Sequence, residues 1–231
     1  MTERPIFVPA PDTPELVKEI FFRIKWHPGF ASVQKEKNIE ELHNAAARQG
    51  FRPLLEISSK SSSERGRHLS AFYMKIEISD GREVPLECAF QGSKVFEHGG
   101  PFTDLYSAEP RFAKGDARLK SSGALKAFRF RGFTWPLEPK TAFYDWLYIT
   151  FLARYRDWAP KLYAYRGFTD VEFNPYRSVN CQARSCALFL SLLKCDLLDE
   201  ATQSPKTFVN LLLHSDYRPR LHQMEQQTPL F

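Results

Sequence analysis

Glu87, Gln91 and Lys94 stand at i, i+4 and i+7 in the segment Pro85-Leu86-Glu87-Cys88-Ala89-Phe90-Gln91-Gly92-Ser93-Lys94-Val95-Phe96. At 3.6 residues per turn these positions share one stripe, so the spacing predicts a helix over 87–97 carrying a carboxylate, an amide and an amine in line. Ala89, Phe90 and Phe96 fall on the other side, where they would pack inward. Such a helix can place an acid and an amine in one cleft. The same pattern is also that of an ordinary solvated helix face, on which a Glu–Lys pair contributes little.

A helix of this kind needs a frame around it. Residues 12–26 open with Asp12-Thr13-Pro14-Glu15, and Leu16, Ile20, Phe21 and Ile24 then recur at helical spacing, which predicts a helix. A second amphipathic helix is expected over 34–49, closed by Gly50. Residues 53–58 read as a buried strand, and 69–78 as a strand running into an Asp80-Gly81 hairpin turn, with a Ser-rich loop between them. Residues 98–125 are polar and broken by Gly99-Gly100-Pro101 and Ser121-Ser122-Gly123, as in a partly helical excursion over the site. A strand at 126–131, a long apolar helix at 138–158 with a helical continuation to 165, a loop at 167–178 and an apolar helix at 180–195 follow. Residues 199–207 read as a linker, 207–214 as a short apolar helix and 217–231 as a loose tail. The expected class is α+β: one helix-rich domain around a small β-sheet, residues 1–196 with an N-terminal helical extension, then a C-terminal appendage over 197–231.

Composition bounds what the site can serve. At 231 residues, 43% hydrophobic and 14% aromatic, the chain belongs with packed globular proteins rather than disordered ones. It has no apolar run of membrane-spanning length, and its charged start is no signal peptide, so a cytoplasmic protein is expected. The four cysteines form no Cys-x-x-Cys and no His pair has zinc-ligand spacing, so neither metal nor cofactor is expected. A formal net charge of +5 suits a nucleic-acid or polyphosphate ligand without requiring one. The run Lys126-Ala127-Phe128-Arg129-Phe130-Arg131 interleaves bases and aromatics, which fits nucleic-acid contact and equally a strand with one solvated face.

Glu87-x-x-x-Gln91-x-x-Lys94 after a short strand resembles the signature helix of the NADAR superfamily, which has the YbiA-like fold. Ile57-Ser58-Ser59-Lys60-Ser61 is similar to that family's opening strand and polar loop, and Leu69-Ser70-Ala71-Phe72 to its Ser-x-Phe strand entry. Phe168-Thr169-Asp170 with Asn180-Cys181-Gln182-Ala183-Arg184 is similar to its C-terminal Asp…Asn block. Longer blocks at 97–105, 135–141 and 172–175 resemble the branch of antitoxins paired with DarT-type toxins, which ADP-ribosylate guanine in DNA. The similarity runs from about residue 5 to residue 195. Glu172-Phe173-Asn174-Pro175 stands where most superfamily members carry a Trp-Gly block.

The resemblance implies hydrolysis of the N-glycosidic bond between ADP-ribose and guanine in single-stranded DNA or on a flipped base, releasing ADP-ribose. Glu87 would be the general acid/base, its carboxyl shifted upward by aromatic walls. Lys94 would either orient Glu87 and steady anionic oxygens or, as a desolvated amine, attack C1 of the opened ribose. The covalent role is preferred, because a sugar on an aryl amine opens readily once protonated; Lys60 is the other lysine for it. Asp170 would accept ribose hydroxyls. Asn180 would bind a phosphate or ribose oxygen, or cap the following helix. Ser58, Ser59 and Ser70 would donate to phosphates or simply solvate their loops. Phe72 and Trp135 would stack on a base or pack in the core. Gln91, Glu172 and Asn174 complete the expected pocket, and Arg184 would meet a phosphate or pair with Glu172. The basic loops at 111–131 could hold the DNA backbone, in a salt-sensitive way. Two other readings stand beside the hydrolase: an antitoxin that only binds the toxin or modified strands, and an N-glycosidase for a small phosphoribosyl metabolite.

Overall fold

The computed structural model describes residues 1–219. In chain order its elements are β1 (Thr2–Ala10), β2 (Leu16–Ile24), α1 (Ser32–Ala47), β3 (Leu54–Glu56), α2 (Glu64–His68), β4 (Lys75–Glu77), β5 (Glu83–Pro85), α3 (Leu86–Gly92), β6 (Lys94–Phe96), α4 (Pro110–Gly115), α5 (Arg118–Ser121), β7 (Leu125–Phe130), β8 (Phe133–Trp135), α6 (Ala142–Ala153), α7 (Ala159–Leu162), β9 (Gly167–Thr169), α8 (Gln182–Lys194), α9 (Leu198–Gln203) and α10 (Pro205–His214). The class is α+β, as expected, but with three small sheets rather than one. These are β2-β1-β9-β3, the β4-β5 hairpin and β6-β7-β8.

The organising elements are α6 and α8. Both are apolar nearly all round, which is the signature of a helix buried on every side. Phe143, Leu147, Ile149, Leu188 and Leu192 anchor one large core that reaches from Phe7 in β1 to Tyr217. A smaller core lies between the β1–β2 hairpin and α1, where Ile6, Phe22 and Ile24 close over Leu42, Ala45 and Ala46.

Residues 12–26, expected as a helix, are instead the turn and second strand of that hairpin, so the N-terminal extension is not wholly helical. β1 and β2 pair from Thr2↔Ile24 to Ala10↔Leu16. Asp12-Thr13-Pro14 makes the turn: the Thr13 N–H donates to Ala10 O (3.2 Å), and the Leu16 N–H to Thr13 O (3.1 Å). The four-residue spacing of Leu16, Ile20 and Ile24 also fits one face of a strand, and Ile20-Phe21-Phe22 are residues that favour one.

Other boundaries move as well. Residues 69–74 are a turn, closed by the Tyr73 N–H on Ser70 O (2.8 Å), and only 75–77 extend. The helix expected over 87–97 stops at Gly92 and β6 follows. The long helix expected over 138–158 begins at Ala142 and ends at Ala153. The loop at 167–178 starts with strand β9. The expected linker at 199–207 is occupied by α9 and the start of α10, and Leu198, Ala201, Phe208 and Leu212 all enter the main core. Of the expected tail, residues 220–231 lie outside the described residues. Strand β7 buries Phe128 and Phe130 and exposes Lys126 and Arg129, so its basic–aromatic alternation is that of a strand with one solvated face.

Candidate functional site

The elements around α3 enclose a cleft of about 680 Å³, within the range of small-molecule and cofactor sites. Its floor is tied together by Gln182 at the start of α8. The side-chain amide accepts from the Ala71 N–H (2.9 Å) and donates to Ile57 O (2.7 Å). Tyr148 of α6 donates its hydroxyl to Leu69 O (2.7 Å). These bonds fix the two polar loops that present Ser58, Ser59, Ser70 and Phe72 to the cleft.

Glu87 and Gln91 line one wall from α3, and the Gln91 amide donates to Glu87 Oε1 at 2.8 Å. Glu87 is only 5% exposed. Gln91 Oε1 is buried without a hydrogen-bond partner. Lys94 reaches the same cleft by a different route from the one its spacing suggests. The helix closes at Ser93, whose hydroxyl donates back to Ala89 O (2.7 Å) and meets Tyr106 Oη at 3.0 Å. Gly92 allows this closure: a Cβ there would lie 2.6 Å from the Tyr106 ring. Lys94 then opens β6, paired with Phe128, and its Nζ rests 4.9 Å from the centre of the Phe90 ring. Burial lowers the Lys94 pKa; Glu87 opposes the shift and Lys114 adds to it. A lysine so placed holds its proton less firmly than one in water, which favours a nucleophilic amine.

Asp170 joins the cleft just past β9. Its Oδ1 accepts the Glu172 N–H (3.1 Å), a tight Asx turn that starts the loop over the cleft. Burial, followed by the charges of Glu56 and Glu172, pushes its pKa up to about 8, against the Glu172 N–H and Lys114. Asp170 therefore binds its proton more firmly than a carboxyl in water does. Further along the loop, Glu172, Asn174 and Asn180 also line the cleft. The α8 N-cap position falls on Cys181 and has no side-chain cap bond. Asn180 thus does not cap the helix, and its buried Oδ1 has no partner.

Three expected site residues lie elsewhere. Trp135 is fully buried and packs on Phe143 (5.4 Å) and Trp146 (5.2 Å), so it has no free face for a base. Arg184 is 1% exposed, bonded to Val179 O and paired with Glu19 at 2.5 Å, between Phe7 and Phe173. Its expected partner Glu172 pairs with Lys35 instead, at 3.0 Å. Lys60 does not line the cleft, and its N–H bonds to Ser58 Oγ.

The structure also adds residues that spacing did not reveal. Lys114, Lys140 and Arg177 bring three exposed cations to the cleft from α4, the segment before α6 and the 170–180 loop. No ion pair among the described residues engages any of them within 4.0 Å. Lys114 Nζ lies 5.7 Å from the Phe72 ring centre. Tyr144 of α6 forms the back wall edge-on to Phe90, and burial raises its pKa well above the ordinary phenol value. Lys114 had a signal in the sequence, the basic 111–120 run, and Lys140 fell within the 135–141 block, whereas Arg177 had none. Among the described residues no group of His, Cys, Asp and Glu is arranged to hold a metal ion, and no helix is long and apolar enough to cross a membrane.

Residues 2–221 match the model of a family described as the DarT1-associated NADAR antitoxin. The chain belongs to this family. The match continues through α9 and α10, beyond residue 195, where the resemblance read from the sequence stops. No curated protein matches the chain.

Proposed function

We propose that this NADAR antitoxin is a cytoplasmic hydrolase that removes ADP-ribose from guanine in DNA and so reverses the modification made by its toxin. The observation that carries the reading is one cleft lined by the Glu87 carboxyl, by Lys94, whose pKa is lowered, and by Asp170, whose pKa is raised. Acid, base and nucleophile are the groups that cleavage of an N-glycosidic bond requires. Lys114, Lys140 and Arg177, which have no ion-pair partner among the described residues, suit a diphosphate or a DNA backbone, and Phe72 offers a ring at the cleft.

In this reading Asp170 protonates the ribose ring oxygen and the C1–O bond opens, leaving C1 joined to the guanine nitrogen as an iminium. The Lys94 amine adds to C1. The proton that the Lys94 nitrogen sheds after adding to C1 passes to the guanine nitrogen, which departs as the C1–N bond breaks, leaving C1 held by Lys94 as a protonated Schiff base. Glu87 takes a proton from water, whose oxygen adds to C1. Lys94 is expelled, and the aldehyde recloses to ADP-ribose. The sum is substrate plus water giving guanine plus ADP-ribose.

The test is an oligonucleotide carrying ADP-ribose on one guanine, incubated with wild type, Glu87→Gln and Lys94→Ala. Wild type releases ADP-ribose, and each variant is slower by roughly 10²–10⁴-fold. Borohydride reduction during turnover leaves an ADP-ribose adduct on Lys94 and none on the Lys94→Ala protein. A wild type that binds the modified strand without releasing ADP-ribose would instead make the antitoxin a binding protein.

A further inference from the structure

One buried acid lies behind the cleft without lining it. Glu56, the last residue of β3, is 3% exposed. Its Oε2 accepts the Thr169 hydroxyl at 2.6 Å and its Oε1 the Val171 N–H at 3.0 Å. The residues before and after Asp170 are thus fastened to a single carboxyl group. Thr169 is held through its hydroxyl and Val171 through its backbone N–H, so the chain is pinned on both sides of Asp170 at the end of β9, where Asp170 itself lines the cleft.

The clamp continues outward. Thr169 has one hydroxyl proton, committed to Glu56, so the contact of 2.9 Å between Thr169 Oγ1 and His43 Nε2 is donated by the histidine. His43 stands on α1, and burial lowers its pKa to about 4, so it is neutral at pH 7 and its Nε2 carries the proton. The backbone already secures the strand beneath. β3 and β9 pair in parallel with Glu56 opposite Thr169, and the Ile57 N–H donates to Thr169 O at 2.7 Å. The fold therefore does not need an acid at position 56 to hold β9. An ionisable group buried where an apolar one would serve costs stability, which points to a role beyond packing.

We propose that Glu56 is a positioning residue that sets the direction of the Asp170 carboxyl and the negative potential in which it sits. Glu56 is the largest charge acting on Asp170 after burial itself. The other groups facing Asp170 are Glu172 on its own loop, Lys114 from α4, Arg4 from β1, Tyr144 and Tyr148 from α6, and Cys181 at the α8 start. Burial raises the Glu56 pKa as well, so each of the two carboxyls disfavours ionisation of the other. Replacing Glu56 with an uncharged residue removes that repulsion, and the Asp170 midpoint moves to lower pH. The direction is the same whether Asp170 works as acid or as base.

The inference rests on the hydrolase reading only where turnover is measured, so its first readout is independent of turnover. Carboxyl-labelled Asp170 is titrated by NMR in wild type and in Glu56→Gln, which keeps the size and one acceptor of the original side chain. The Asp170 midpoint falls by about one pH unit in the variant. The limb of the kcat–pH profile that follows Asp170 moves by the same amount, and Glu56→Ala lowers kcat more than tenfold with KM within twofold. An unmoved Asp170 midpoint in folded Glu56→Gln would overturn the inference, whatever its effect on Tm. An inert wild type with a shifted midpoint would overturn the hydrolase reading alone.

Discussion

Asp145 and Asp170 are both acids whose pKa burial pushes up, yet they are built for opposite purposes. Asp145 of α6 is 1% exposed, and both its oxygens are engaged. Ser185 of α8 donates to Oδ1 (2.5 Å), and the Tyr217 hydroxyl to Oδ2 (3.1 Å). The network joins α6, α8 and the segment after α10, and nothing in it faces the cleft. Asp170 receives one hydrogen bond among the described residues, from its own loop, and the rest of its acceptor capacity points into open space. A carboxyl can take about four hydrogen bonds. A buried acid with both oxygens bound by protein groups acts as glue, and one with an oxygen left unbound is available to a substrate.

That contrast can be broken most directly by exchanging the two effects. Asp170→Asn leaves Tm unchanged or higher and lowers ADP-ribose release by roughly 10²–10³-fold. Asp145→Ala, in contrast, strands the Ser185 and Tyr217 hydroxyls in the core and destabilises the fold by about 3 kcal/mol, seen as a lower denaturant midpoint. At a temperature where that variant stays folded, its kcat is within twofold of wild type. Loss of activity in folded Asp145→Ala, or loss of fold in Asp170→Asn, would erase the distinction.

The same contrast explains what the sequence could convey. Most of the cleft was legible as residue types: Glu87, Gln91, Lys94, Asp170 and the serines of the two loops all line it. The reason given for the first three was partly wrong, because Lys94 arrives on a strand. A helix stripe and a helix-to-strand turn both return a side chain to the same wall, so the pattern survived the wrong geometry. Glu56 and His43 were not legible, since a positioning role depends on which strands are neighbours, and β9 was hidden in an apparent loop. β1 was hidden too. Pro5 and Pro9 argue against a strand inside a sheet, because proline cannot donate to a ladder. The fold accepts them because β1 is paired with β9 at Phe7 alone. Trp135 illustrates the converse, a ring whose chemistry suits stacking but whose burial leaves no face for it.

The smallest effect separates the two acids by pH. A group whose folded pKa lies above its unfolded value binds its proton more tightly in the native state, so its stabilising contribution is full below the unfolded pKa and declines as pH rises through the folded one. Asp170 moves from 3.8 to about 8, so its contribution declines across that interval. His43 moves from 6.5 to about 4, so its contribution is full above 6.5 and declines as pH falls. Between about pH 4 and 6.5 the two slopes oppose each other. From 6.5 to 8 the Asp170 slope acts without the His43 one and approaches ~1.4 kcal/mol per pH unit at its steepest. Asp145 and Glu56 shift in the same direction as Asp170, so the informative quantity is the difference between wild type and Asp170→Asn in chemical denaturation from pH 5 to 8.5. That difference moves steadily toward the variant as pH rises to 8. A difference independent of pH would mean that Asp170 is ionised in the native cleft, and that a different group must supply the proton on which ring opening depends.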